Sequence, residues 1–110
     1  MNDTRPAITH TFTIDGQQCY LNVGLDQFGR PIELFITMQK VGSTVHGFAD
    51  ATGRLISTAL QAGVPLATVI RRMKDLTFAP SGFVTNTDSG ITSASSVLDY
   101  IARWLELKFP

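Results

Sequence analysis

Residues 40–63 read KVGSTVHGFADATGRLISTALQAG, a glycine turn that leads into the longest helix of the chain. Apolar or small side chains recur at Val45, Phe48, Ala49, Thr52, Leu55, Ile56, Ala59 and Leu60. That three-four spacing is the signature of one buried helical face. His46, Asp50, Arg54, Ser57 and Gln61 follow one another at similar steps on the other side and predict a polar ridge. Ser43 stands where an N-cap is expected, and Gly63 followed by Pro65 ends the helix. Gly47 and Gly53 within it each cost about 1 kcal/mol relative to Ala, which predicts a close backbone approach, either of the sheet or of a ligand or second subunit.

Upstream, Ile8, His10, Phe12 and Ile14 alternate with threonines, Cys19, Leu21 and Val23 alternate with Tyr20 and Asn22, and Ile32, Leu34, Ile36 and Met38 alternate with Glu33, Phe35 and Thr37. Each is a strand pattern. Asp15-Gly16 suits a tight hairpin, and Asp26 to Pro31 a second turn. Downstream, Leu66, Val69, Ile70 and Met73 predict a second helix whose Arg71, Arg72 and Lys74 read as a solvated surface. Residues 77–91 read as a long loop, and Thr92 or Ser93 as the cap of a last helix with Val97, Leu98, Ile101, Trp104 and Leu105 on its apolar face. Asp99 and Arg103 stand one turn apart and can pair. The expected fold is α+β, a three-stranded antiparallel meander followed by three helices packed on one face, with residues 1–7 as an arm and 8–110 as one domain.

The 110 residues carry nine basic and nine acidic side chains, giving a formal net charge of zero, and no basic run. Composition therefore argues against nucleic acid as a partner. No apolar run approaches the ~20 residues of a membrane span, and MNDTRPAITH has no signal segment, so no membrane partner is expected. The expected location is the cytoplasm, or the host cytoplasm if the gene is a phage's. Cys19 stands alone, which excludes a disulfide within the chain. His46, Asp50 and Ser57 do not make a triad, because seven residues of helix separate Asp50 from Ser57 by about 10 Å. No metal or other cofactor is expected.

Gly42-Ser43, Gly47, Arg54-Leu55-Ile56-Ser57, Ala59-Leu60 and Gly63-Val64-Pro65-Leu66 resemble the TSCPD domain at the C-terminus of adenosylcobalamin-dependent ribonucleotide reductases. Phe78, Pro80-Ser81-Gly82-Phe83, Asp99-Tyr100-Ile101, Arg103-Trp104-Leu105 and Phe109 extend the resemblance to the end of the chain. The Thr-Ser-Cys-Pro-Asp signature is represented only by Thr92-Ser93-Ala94-Ser95-Ser96, without its Cys and Pro, which removes any thiol role attached to it. One cysteine and 110 residues cannot supply a reductase's radical machinery, so no catalytic residue and no enzyme activity is expected.

The resemblance implies a nucleotide context. An anion site is expected where Lys40, Gly42, Ser43, Thr44 and His46 open the long helix, since helix N-termini offer free N–H groups and a positive dipole end. Arg54 and Arg103 are expected as further cations, and Phe78, Ser81, Gly82, Phe83 and Asn86 as a loop covering a base. The expected function is a non-catalytic, oligomeric binding module for a nucleotide or nucleotide-derived ligand. It would serve either as an accessory to a ribonucleotide reductase or as a phage-type sponge for nucleotide immune signals. The alternative is a purely structural protein-interaction domain. A homodimer or larger assembly is expected because Tyr20 and Phe35 leave the second sheet face partly apolar.

Overall fold

A hairpin opens the structure because Asp15 and Gly16 both adopt positive φ, 48° and 76°, the backbone that a two-residue turn between twisted strands needs. The computed structural model describes residues 6–39 and 42–110, with Ser43 described by its backbone alone. Lys40 and residues 1–5 of the expected arm lie outside the described residues. Strand β1 (Ala7–Ile14) pairs in antiparallel register with β2 (Gln17–Leu25), Phe12 opposite Cys19, and β2 pairs with β3 (Pro31–Met38), Leu21 opposite Ile36. Pro6 already belongs to this sheet region, since its carbonyl accepts the Leu25 amide at 2.9 Å. Helices α1 (Ser43–Gln61) and α2 (Leu66–Met73) follow, then short strands β4 (Gly82–Thr85) and β5 (Ser93–Ala94), then α3 (Val97–Lys108). The molecule is thus α+β, an antiparallel sheet built from the first three strands and followed by helices. The sheet has five strands in the order β3-β2-β1-β4-β5.

The region expected as a single loop contributes the two extra strands. Ile14 of β1 would otherwise end at an open sheet edge, and Val84 pairs with it there while burying its own side chain. The core lies on one face of the sheet, where Phe12, Ile14, Cys19, Leu21, Val23, Leu34, Ile36 and Met38 meet Val69, Ile70, Met73, Tyr100, Ile101, Trp104 and Leu105 from the helices. An aromatic stack links strand to helix: Phe12 lies 3.9 Å from the Tyr100 ring centroid and His10 lies 4.5 Å from that of Trp104.

Both expected helix caps shift. α1 is capped by Gly42, with Ser43 at the first helical position. α3 is capped by Ser96, not Thr92 or Ser93: its hydroxyl accepts the Asp99 amide at 3.0 Å, while Ser93 is in β5. The end of α1 follows expectation. Gly63 at φ 95° lets Val64 donate to Ala59 and Gly63 to Leu60, the paired bonds that close a helix at a left-handed glycine.

The face of α1 is where residue patterning and structure part. Val45, Phe48 and Leu55 are exposed, whereas Gly53, Ile56 and Ser57 are buried. The helix lies along the outer edge of β3, rotated so that part of its expected polar ridge meets the strand backbone. The Ser57 hydroxyl accepts the Leu34 amide at 2.9 Å and lies 2.8 Å from the Gly53 carbonyl and 3.2 Å from the Leu34 carbonyl. Gln61 donates to the Ile32 carbonyl at 3.1 Å. An uncovered edge strand leaves a row of unpaired backbone groups, and α1 satisfies these from its own side chains. That demand outranks burial of the most apolar arc.

Candidate functional site

The residues expected to hold a ligand are spread over the molecule. Gly42, Thr44 and His46 are exposed at the start of α1. Phe78 lies near them, sharing an apolar groove with Val45 and Phe48. Arg54 pairs with Asp50 at 3.0 Å on the exposed ridge of α1. Phe83 is 82% exposed and alternates with the buried Val84, so it points from the sheet face opposite the helices, with Ser81 and Gly82 exposed just before it.

Asn86 and Arg103 are engaged internally. Asn86 donates to the Thr13 hydroxyl at 3.1 Å, and Arg103 donates to the Ser93 carbonyl at 2.7 Å and to Asp99 at 3.3 Å. Asp99 is buried and also accepts the amides of Ser95 and Asp75 at 3.0 and 2.8 Å. Burial alone would raise its pKa. The two amides and the Arg103 guanidinium outweigh burial and hold the carboxyl below its usual range. Asp99 thus ties the end of α2, β5 and α3 together. Gly53, the other position weighed for a ligand, is filled by the protein itself: a Cβ there would stand 2.7 Å from the Leu34 carbonyl oxygen.

A second polar group had no sequence-level signal. The Tyr100 hydroxyl lies 2.8 Å from His10 Nε2, 2.7 Å from the Thr87 hydroxyl and 2.9 Å from the Ser89 hydroxyl. Burial holds His10 below its ordinary pKa, with Asp88 acting to raise it and Lys108 to lower it. Burial likewise raises the Tyr100 phenol. These donors and acceptors satisfy one another beneath the 86–91 segment, so the polar loop residues are spent on docking the loop. Cys19 is buried and its thiol is pushed up to about 12, which leaves no thiolate at neutral pH. Among the described residues no three His, Cys, Asp or Glu side chains gather as a metal site. No helix among them is long and apolar enough to cross a membrane.

The structure does gather a cleft at the opposite end of α1. It runs between the β2–β3 turn, the α1–α2 corner, α2 and the C-terminal end of α3, with a volume of about 1110 Å³. Ile32, Leu60, Leu66, Ile70 and Phe109 supply apolar surface, and the charged lining is balanced, with Arg30, Arg71 and Lys74 facing Asp26, Asp75 and Glu106. The cleft is slightly larger than the roughly 300–1,000 Å³ of most small-molecule sites. Arg30 is held at 3.0 Å by Asp26, whose other oxygen caps the turn by accepting the Phe28 and Arg30 amides. Those amide bonds, the Arg30 amide first, and the guanidinium hold the Asp26 carboxyl below its usual range. Lys74 pairs with Glu106 at 2.9 Å, a contact that raises the lysine pKa. Arg71, exposed in the last turn of α2, has no ion-pair partner among the described residues. The sequence held a faint signal for this set, since Ala67, Ile70, Arg71 and Lys74 fall at helical spacing and all line the cleft. Phe109, past the end of α3, had none.

An antiparallel sheet followed by helices, with an open cleft of mixed charge at one end of α1, defines a small α+β domain. The chain belongs to the TSCPD domain family, whose profile matches residues 2–109. It is 49% identical to a vitamin B12-dependent ribonucleotide reductase of Rhodopirellula baltica, a match covering 97% of this chain and 10% of that protein. Reductases of the same name from Streptantibioticus cattleyicolor and Bradyrhizobium diazoefficiens are 37% and 35% identical over 96% and 99% of this chain, and 17% and 9% of their own lengths. The chain therefore spans a tenth to a sixth of these relatives, the extent of a small domain of each. No solved structure matches it.

Proposed function

We propose that this domain is a non-catalytic module that binds a nucleotide or nucleotide-derived anion beside B12-dependent ribonucleotide reduction, acting in the cytoplasm. The observation that carries the reading is the cleft, where Arg71, without an ion-pair partner among the described residues, lines the same wall as Leu66, Ile70 and Phe109. A guanidinium takes phosphate oxygens in a two-point grip, and an apolar floor beside it takes a flat base. Arg30 and Lys74 sit in solvent-screened ion pairs, which a phosphate can replace. Matches running the full length of this chain to reductases favour work beside reduction over sequestration of immune signals.

A thermal-shift screen with nucleoside mono-, di- and triphosphates, their deoxy forms and cyclic dinucleotides tests the reading. Ligand at a hundred times its Kd adds about 2.7 kcal/mol of stability. A shift with phosphorylated compounds and none with the nucleosides supports phosphate capture. No shift with any nucleotide at millimolar concentration leaves the domain as an interaction module alone.

A further inference from the structure

We infer that the exposed side of α1 is a self-association surface, on which two copies of this chain pair through antiparallel α1 helices. The observation is an apolar stripe left over after α1 has covered β3. Phe48 and Leu55 are each 71% exposed, and Val45 and Phe78 are 43% and 44% exposed. Phe78 closes one end of the stripe, where Val45, Phe48 and Phe78 share a groove of about 370 Å³ floored by Ile36 and Met38. The cleft at the C-terminal end of α1 is separate from it.

Three features point to a second copy. The stripe is symmetric about its own midpoint: Val45 and Phe48 stand on one side of Ala51 and Thr52, and Leu55 and Thr58 stand at mirrored spacing on the other. A two-fold axis beside Ala51 and Thr52 therefore places Phe48 of each chain against Leu55 of the other, with small residues where the helices cross. The area is of the right order as well. The four bulky side chains leave on the order of 400 Å² of apolar surface in water per copy. That is about half of the ~800 Å² each partner contributes to a standard interface, and the neighbouring Thr44, Ala51, Thr52, Thr58 and Ala59 extend it. Finally, the two threonines nearest the crossing point are already satisfied. Thr52 donates to the Phe48 carbonyl at 2.7 Å and Thr58 to the Arg54 carbonyl at 3.0 Å, and the nearest charges, Asp50 and Arg54, pair with each other on the far flank. Excluding water over Thr52 and Thr58, where the helices cross and next to it, strands neither hydroxyl and buries no charge.

Charge complementation between two variants tests the pairing, with light scattering coupled to size exclusion at about 100 µM as the readout, a concentration that populates dimers of micromolar Kd. The parent chain should run at twice the 12.0 kDa of one chain. Phe48→Glu alone and Leu55→Lys alone should each run as monomers with the parent's circular dichroism, because both positions are exposed. Mixed in equal amounts, they should recover the dimer, since the antiparallel register brings the new carboxylate of one chain to the new ammonium of the other and leaves a parental Phe–Leu contact beside it. A monomeric parent overturns the proposal, and so does a parent dimer that survives both substitutions. A mixture that stays monomeric overturns the antiparallel register. None of these outcomes alters the nucleotide thermal shift, so failure here and failure of the cleft are read separately.

Discussion

Two glycines of α1 separate packing from propensity at single positions. A Cβ at Gly53 would sit 2.7 Å from the Leu34 carbonyl oxygen and 3.5 Å from the Ile36 amide nitrogen, both backbone atoms that cannot swing aside. A Cβ at Gly47 meets nothing within 4 Å. Gly53→Ala should therefore lower stability by about 1 to 3 kcal/mol as the helix is pushed off the strand. Gly47→Ala should raise it by about 0.5 to 1 kcal/mol through helix propensity and a less flexible unfolded chain. Urea unfolding of both variants checks the opposite signs, and equal effects would mean that α1 does not rest on β3. His10 supplies a pH dependence. Its folded pKa lies below the ordinary 6.5, so the folded protein holds the neutral ring more firmly than the unfolded chain does. Its contribution to stability is whole above about pH 6.5 and is lost as pH falls through that value toward the folded pKa. Melting temperature should drop between pH 7.5 and 5.5, and His10→Gln should flatten the slope in that window even where it lowers the melting temperature throughout.

At the scale of elements, α1 and the edge of β3 form one unit, and Ser57 is its joint. Its hydroxyl is the acceptor for a buried Leu34 amide that β2 does not reach. Ser57→Ala leaves that amide unsatisfied and should cost about 1 to 3 kcal/mol, whereas Thr58→Ala, one residue on and exposed, should change stability by less than about 0.5 kcal/mol. Denaturant midpoints compare the two, and a neutral Ser57→Ala would show that water replaces the hydroxyl. This element also marks how far sequence patterning reaches. The strands of the meander were legible because alternation has a period of two and one face must be buried, so Leu21, Leu34 and Ile36 declare their side at once. The existence of α1 and its C-terminal end were legible from glycine, proline and periodicity, and its start to within one residue. Its facing was not, because the pattern of Val45, Phe48 and Leu55 describes an apolar arc without saying what covers it, and a serine bound to a strand edge looks like any solvated serine. β4 and β5 were hidden for a related reason: they are too short to show a period and exist through the partner edge that β1 offers.

For the molecule as a whole, the family was legible and the cleft was not. The motifs around Gly63-Val64-Pro65-Leu66 and Asp99-Tyr100-Ile101 build helix ends and loop anchors, so they carry the fold. The cleft draws on residues from the β2–β3 turn, α2 and the chain's last turn that no spacing connects. Arg71 reads as solvated in sequence because nothing there shows that Phe109 closes the same concavity. With zero net charge the protein has no net monopole to draw an anion, so the proposed capture would rest on this local guanidinium and be weakened by salt. The most direct measurement is calorimetric titration of the best nucleotide from the thermal screen into the intact chain and into Arg71→Ala and Arg54→Ala, at low and physiological salt. The cleft predicts that Arg71→Ala loses about tenfold or more in affinity together with part of the salt dependence, and that Arg54→Ala, on the far ridge of α1, binds as the parent does. Equal affinity for the parent and Arg71→Ala would contradict it and remove the ligand from the cleft.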